Sequence, residues 1–317
     1  MQPLTAGKQS GHRRASLDLG SNTLRLLVAE VGHGGWRAVE RALATPRLGR
    51  GLTPGAPFTP PAREAARRLT GEFTARAREL GARRVVLAAT QAARLAVDGP
   101  ELVADLAREF LLDRAVILSG EEEAGLSRLG VKSRLTGPAA GALLADVGGG
   151  SSEIIPLTEG GGRSLPLGAV ALSEVWLRSD PPRSEELTAL RQAVQEGLAS
   201  LVHLKAPRLV ATAGTAATLA AMSLGLTSYE PERVNNHVVT RARLSELYNQ
   251  LSRLPLAQRR EFPGLEPERA DVILGGLAIL AGLLDFLHLD RLTTMDAGLL
   301  EGILLDDVAK AEAEGKE

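Results

Sequence analysis

Two stretches of the chain share one hydrophobic plan. Residues 16–31 read SLDLGSNTLRLLVAEV: an apolar strand carrying Asp18, a break at Gly20-Ser21-Asn22-Thr23, and a second apolar strand from Leu24. Residues 142–157, ALLADVGGGSSEIIPL, repeat the plan with Asp146 and a break at Gly148-Gly149-Gly150-Ser151-Ser152. Each predicts a β-hairpin, over 15–31 and 142–157. Between them Leu69, Phe73, Ala77 and Leu80 recur at helical spacing and predict a helix over 61–80, stopped by Gly81. A strand at 84–89, a helix over 100–112 and a strand at 114–118 follow, and SGEEEAGLSRLG opens another helix behind Ser119-Gly120. The segment 130–141, bearing glycine, proline and serine, reads as a joint.

After the joint the order returns: hairpin 142–157, helix 184–204, strand 208–213, helix 214–224. Laid without gaps, Val85–Ala96 (VVLAATQAARLA) and Leu209–Ala220 (LVATAGTAATLA) share six of twelve residues at an offset of 124, close to the 128 between Asp18 and Asp146. Alanine-rich sequence matches itself by chance, but order and offset together predict a duplication. Two related α/β halves with a cleft between them would follow, spanning 1–129 and 130–317, with a terminal helix at about 298–317 expected to pack back on the first. A length of 317 residues suits two domains, since one takes about 150.

Composition narrows the function. With 44% hydrophobic and 24% charged residues the balance is that of a soluble globular protein. A formal charge of −1 gives no global field to steer nucleic acid, and 3% aromatic residues are too few for base-stacking platforms, so nucleic acid is set aside as a partner. The absence of cysteine excludes disulfides, thiolate zinc sites and thiol nucleophiles, and the histidines at 12, 33, 203, 237 and 288 show no ligand spacing. The first fifteen residues are polar and basic, without the apolar core of a signal peptide, and the most apolar run, Val272 to Leu284, falls short of the ~20 residues a membrane span needs. A cytoplasmic protein with a buried helix over that run is expected.

The glycine-rich breaks carry the chemistry. Such turns offer backbone N–H groups with no Cβ in the way, a concavity that suits phosphate, although hairpin turns have the same composition without binding anything. Neither the dinucleotide G-x-G-x-x-G nor the G-x-x-x-x-G-K-[ST] loop occurs. Asp18 and Asp146 end their strands against the loops, where a carboxylate either holds a hard cation beside phosphate or caps the turn. Arg94, near the start of the helix after strand 84–89, is either a bidentate phosphate contact or a solvated arginine. The triplet Glu121-Glu122-Glu123 suits a helix N-terminus through the macrodipole, and at ~100° of rotation per residue no more than one of the three faces a given site squarely.

The segments DLGSNTLRL, ATQAARLA, ILSGEEEAGLSRLG, DVGGGSSEI, AGTAATLA, RADVILGGLAIL and MDAGLLEGIL, in that order from about residue 15 to 306, resemble the exopolyphosphatase/guanosine pentaphosphate phosphohydrolase (Ppx/GppA phosphatase) family. The resemblance implies two ribonuclease-H-like domains of the actin-like ATPase superfamily with an interdomain cleft, closing on a phosphate chain from opposite sides. It implies Mg²⁺ or Mn²⁺ as cofactor, held by Asp18, Asp146 and Glu153. Phosphate would be bound by Gly20, Ser21, Asn22, Thr23, Arg94, Gly148, Gly149, Gly150, Ser151, Ser152, Gly214 and Thr215, with Arg25 and Arg269 at the distal end of the substrate. Glu123, directly before Ala124, matches the family's catalytic glutamate, which orients and deprotonates the attacking water.

Two departures limit the transfer. Leu300 stands where the family commonly has arginine, and the chain ends at Glu317 without the helical C-terminal module of longer members, so a preference for very long polyphosphate is not carried over. The expected activity is release of orthophosphate from the ends of inorganic polyphosphate. The alternatives are hydrolysis of guanosine pentaphosphate to tetraphosphate, an ATP-dependent phosphotransferase on the same superfold, and a catalytically silent binding protein. Polyphosphate, guanosine penta- and tetraphosphate and a second copy in a homodimer are the partners this reading admits.

Overall fold

The computed structural model describes residues 12–32, 35–158, 160–201 and 203–314. The first eleven residues, read above as lacking a signal peptide's apolar core, and His33 lie outside the described residues. By its contacts the chain forms two compact units, one holding the described residues up to Ser119 together with those from Ile303, the other Gly120–Gly302.

The first unit opens with an antiparallel meander, β1 (His12–Leu19), β2 (Leu24–Gly32) and β3 (Gly35–Ala44). It continues through α1 (Pro60–Glu79), β4 (Arg84–Ala89), α2 (Gln91–Leu95), α3 (Gly99–Glu109) and β5 (Arg114–Ile117). The sheet order is β3-β2-β1-β4-β5, with β4 parallel to β1 and β5 parallel to β4. Its core joins Leu17, Leu19, Leu24 and Leu26 of the hairpin to Val85 and Leu87 of β4. Against that core α1 lays Ala77, with Leu69, Phe73 and Leu80 partly buried beside it, which is the face its spacing predicts. Proline occupies its first turn, where the missing N–H costs no helical bond.

The second unit runs α4 (Gly120–Lys132), β6 (Leu143–Val147), β7 (Ser152–Pro156), β8 (Arg163–Leu165), α5 (Ala169–Trp176), α6 (Ser184–Leu198), β9 (Leu209–Thr212) and α7 (Ala213–Leu224). There follow α8 (Pro231–Val234), β10 (His237–Thr240), α9 (Arg241–Ser252), α10 (Leu256–Arg259), α11 (Ile273–Phe286), β11 (Arg291–Thr294) and α12 (Leu299–Ala313), whose later turns belong to the first unit. The segment 130–141 leads from α4 to β6 inside this unit, and the helix expected over 184–204 ends at Leu198 in a 3-10 turn. The apolar run is the buried helix α11, and no helix among the described residues is long and apolar enough to cross a membrane.

The sheet of this unit has the order β10-β11-β9-β6-β7-β8, with β6, β9 and β11 parallel and β7, β8 and β10 antiparallel to their neighbours. Taken as β8-β7-β6-β9-β11 it repeats the first sheet in order and sense, with β10 added at one edge. Both units are therefore ribonuclease-H-like, and the fold is the duplicated α/β plan of the actin-like ATPase superfamily. Strand register measures the duplication again. Asp18 pairs with Ala88 and Asp146 with Thr212, positions separated by the same 124 residues as the sequence match.

Glycine sets the approach of α4 to the start of α12. A Cβ on Gly130 would stand 1.8 Å from the Gly298 carbonyl oxygen, and one on Gly302 1.9 Å from that of Leu126. Further along α12, in the first unit, the buried Asp307 carboxylate accepts Arg14 Nη1 at 2.9 Å and Arg84 Nε and Nη2 at 3.1 and 2.9 Å. The neighbouring Asp306 accepts Arg114 Nη1 at 2.8 Å, so the helix is ionically tied to β1, β4 and β5.

Candidate active site

In the first unit Asp18 is the penultimate residue of β1 and faces Arg25 across the hairpin. Arg25 donates from Nε at 2.9 Å and Nη2 at 2.6 Å, both to Oδ2 of Asp18. The residue is 4% exposed, and its other oxygen, Oδ1, is buried with no hydrogen-bond partner. An unsatisfied buried acceptor costs on the order of 1–3 kcal/mol, more if charged, and a cation at that oxygen removes the cost. Arg25, expected at the distal end of the substrate, is thus placed beside Asp18.

The turn after β1 is closed by Gly20 N–H donating to the Thr23 carbonyl at 2.9 Å. Its Ser21 and Asn22 carbonyls are taken by a second loop: Arg47 N–H donates to Asn22 O at 3.0 Å and Gly49 N–H to Ser21 O at 2.7 Å. Gly49 has to lack a side chain, because a Cβ there would lie 2.9 Å from Ser21 Cβ. The carbonyls are tied off from behind, and no backbone bond among the described residues uses the N–H groups of Ser21 or Asn22. Arg94 is exposed on α2 and gives Nη1 to the Leu118 carbonyl at 2.6 Å.

The second loop is backed in the same manner by different means. Gly148 N–H closes the turn onto Ser151 O at 3.0 Å, and the first turn of α5 donates to the loop carbonyls: Ala169 N–H to Gly148 O at 2.9 Å, Val170 and Ala171 N–H to Gly149 O at 2.9 and 3.1 Å. Gly168 permits this seat, since a Cβ there would stand 2.2 Å from Gly149 O. Among the described residues no backbone bond uses the N–H groups of Gly149 or Gly150. Two turns of different residues thus present the same half of their peptide units, the donor half that suits an anion.

Glu153 faces Asp146 across β6 and β7, at the register where Arg25 faces Asp18. Its Oε1 accepts Ser151 Oγ at 2.7 Å and Ser164 Oγ, on β8, at 3.0 Å. Ser152 turns away, donating to the Leu167 carbonyl at 2.5 Å. Asp146 Oδ2 accepts Ser127 Oγ from α4 at 3.2 Å. Ser127 is buried and stands four residues after Glu123, on the same helix face. Glu123 is half-buried whereas Glu121 and Glu122 are exposed.

At the turn from β9 to α7, Ala213 holds φ +66°, a left-handed conformation unusual for alanine. Gly214 follows beneath Arg269, whose Nη1 lies 1.8 Å from where a Cβ would be. Arg269 is also paired with Glu266. Thr215 is buried against Gly276 of α11. Leu300 is buried in α12, 4% exposed, so the position that commonly carries arginine in the family contributes core packing in this chain.

Among the described residues no three His, Cys, Asp or Glu side chains cluster as a metal site. The expected donors are one carboxylate with an unsatisfied oxygen in the first unit and two facing carboxylates in the second. All are oxygen donors, the ligand type that a hard cation such as Mg²⁺ or Mn²⁺ takes, and within either unit such an ion would draw the rest of its ligands from water and phosphate. The residues that sequence reasoning did not single out are the backing loop with Arg47 and Gly49, the start of α5, Ser127 and Ser164. A glycine before an apolar helix, as at Gly168, was the available signal for α5.

Residues 27–311 match the model of the Ppx/GppA phosphatase family. An exopolyphosphatase 2 of Mycobacterium tuberculosis is 33% identical over 312 residues, spanning 92% of this chain and 98% of its own length. An exopolyphosphatase 1 of Mycobacterium leprae is 29% identical over 313 residues, 96% of this chain and 91% of its own. The crystal structure of the Aquifex aeolicus member of the Ppx/GppA protein family superposes with a TM-score of 0.81 at 28% identity, over 94% of this chain and 98% of that one.

Proposed function

Because the chain belongs to the Ppx/GppA phosphatase family and is a hydrolase, we propose that it removes terminal phosphates from inorganic polyphosphate, releasing orthophosphate. The observation that carries this reading is the shared design of the two loops, each with its carbonyls tied off from behind and backbone donors left over, and each beside a strand-end aspartate. Phosphoryl transfer through a loose transition state asks a protein mainly for positioning and charge neutralisation, which donor loops and arginine supply. Glu123, half-buried on the α4 face that touches Asp146 through Ser127, accepts the proton of the attacking water. Asp18, Asp146 and Glu153 would hold Mg²⁺ or Mn²⁺. That cation would supply neutralisation of the phosphate oxygens.

The test is phosphate release from polyphosphates of several lengths, guanosine pentaphosphate and ATP, each with Mg²⁺ and with chelator. Release from polyphosphate in Mg²⁺ with no nucleotide present is the expected result. Release confined to guanosine pentaphosphate, or ADP formation only with an acceptor, would replace this reading with one of its alternatives.

A further inference from the structure

The loop that backs the first hairpin carries two cations with nothing to neutralise them. Arg47 and Arg50 are exposed, and among the described residues neither guanidinium has a hydrogen bond or an ion pair. Several arginines of the same unit are paired with carboxylates, as Arg63 is with Asp98 and Arg84 with Asp307, while Arg83 is exposed and solvated like these two. A solvated arginine is ordinary, but this pair is not placed as ordinary surface charge. The Arg47 N–H is bonded to Asn22 and the Gly49 N–H to Ser21, so both arginines ride on the backbone that shapes the first loop. Arg47 also holds φ +53°, the left-handed region that glycine or asparagine occupies at less cost. A strained, uncompensated cation fastened to an anion-binding turn is kept for its charge.

We infer that Arg47 and Arg50 form a subsite for the internal phosphates of a condensed phosphate chain, next to the turn at Gly20–Thr23, and so select for chain length. The inference rests on the reading of that turn as phosphate-binding. Arginine suits the task because its guanidinium stays charged and can grip two phosphate oxygens at once. A second anionic group carried elsewhere on a nucleotide is the other source of the same chemistry.

The test is equilibrium binding and phosphate release with long-chain polyphosphate, tripolyphosphate and guanosine pentaphosphate, comparing wild type with Arg47→Gly, Arg47→Lys, Arg50→Ala and the double variant Arg47→Gly/Arg50→Ala. Each charge removal is expected to weaken long-chain binding and raise its KM by ~10-fold, with a flatter dependence on salt, while tripolyphosphate changes by less than about 2-fold and kcat is kept. Arg47→Lys should fall between wild type and Arg47→Gly. Arg47→Gly relieves the backbone, so its melting temperature should not drop, which separates lost binding from lost folding. Arg253→Ala, a charge loss at the end of α9, is the control for net charge.

Equal binding of long chains by wild type and the double variant overturns the inference, as does an equal loss on tripolyphosphate, or a loss confined to guanosine pentaphosphate. If the wild type binds long chains without cleaving them, the hydrolytic reading fails while the binding comparison still decides the subsite. If it does not bind them at all, both fall.

Discussion

Asp18 receives two hydrogen bonds from Arg25 on one oxygen and none on the other, so a buried, ion-paired carboxylate keeps one unsatisfied acceptor. In the second hairpin the residue across from the aspartate is Glu153, a second acid. The duplicated halves therefore differ at equivalent positions: the first hairpin sets an arginine opposite its aspartate, and the second sets a second acid there.

Arg25→Gln follows directly. Removing one member of a buried pair strands the other, and the protein should lose about 2–4 kcal/mol in chelator. A cation at Asp18 would take over part of the arginine's role, so Mg²⁺ should raise the melting temperature of the variant more than that of the wild type. Equal Mg²⁺ responses in thermal melts would remove Asp18 from the metal donors.

Glu123→Gln should lower kcat by ~10²–10⁴ with little change in KM, because the amide keeps the shape and cannot accept a proton. Glu121→Gln and Glu122→Gln share the helix terminus but not the half-buried face, and steady-state rates near wild type are expected for both. The assignment is falsified if the three variants are equally active.

Ser164→Ala removes one of the two hydroxyls that hold Glu153 Oε1. Partners of this kind typically contribute 10–100-fold to metal affinity, so the Mg²⁺ concentration giving half-maximal rate should rise ~10-fold while the rate at saturating Mg²⁺ recovers. A loss that Mg²⁺ does not restore would mean that Ser164 serves the fold alone.

Asp307→Asn should destabilise the protein by about 3–5 kcal/mol, since Arg14 and Arg84 lose their shared carboxylate in the interior. Asp306 beside it gives a pH signature. Burial pushes its carboxyl up, but hydrogen bonds from Lys310 and Arg114 outweigh that and hold it below the usual range. Its folded pKa thus lies below the unfolded one, so its stabilisation is present above about pH 4 and is lost as pH falls through the folded value. Denaturant melts of Asp306→Asn across pH 2–6 should show a shallower acid limb than wild type.

How much of this was legible in the sequence depends on what kind of atom does the work. The hairpins, their aspartates and the repeat at 85–96 and 209–220 were visible because side chains carry them, and strand register returns the same offset. Strand β3 was invisible because every position is at least partly exposed and Arg37, Glu40 and Arg41 interrupt any alternation. Glu123 was chosen within its triplet by family likeness, since the contact from Ser127 to Asp146 joins residues 19 apart in sequence. Hardest to see was the backing of both loops, where the donors are main-chain N–H groups that leave no mark on residue type.

That backing separates two properties that most binding loops mix. The shape of the first turn is fixed by the amide hydrogens of residues 47 and 49 and by the missing side chain at 49, while whatever the neighbouring side chains select is written at 47 and 50. Substrate preference can therefore drift by single substitutions at 47 and 50 without remodelling the turn. Proline is the exception: at 47 or 49 it would delete the donor and forbid the backbone angle that residue 47 holds, and the change would be felt in the shape of the turn before it was felt in its charge.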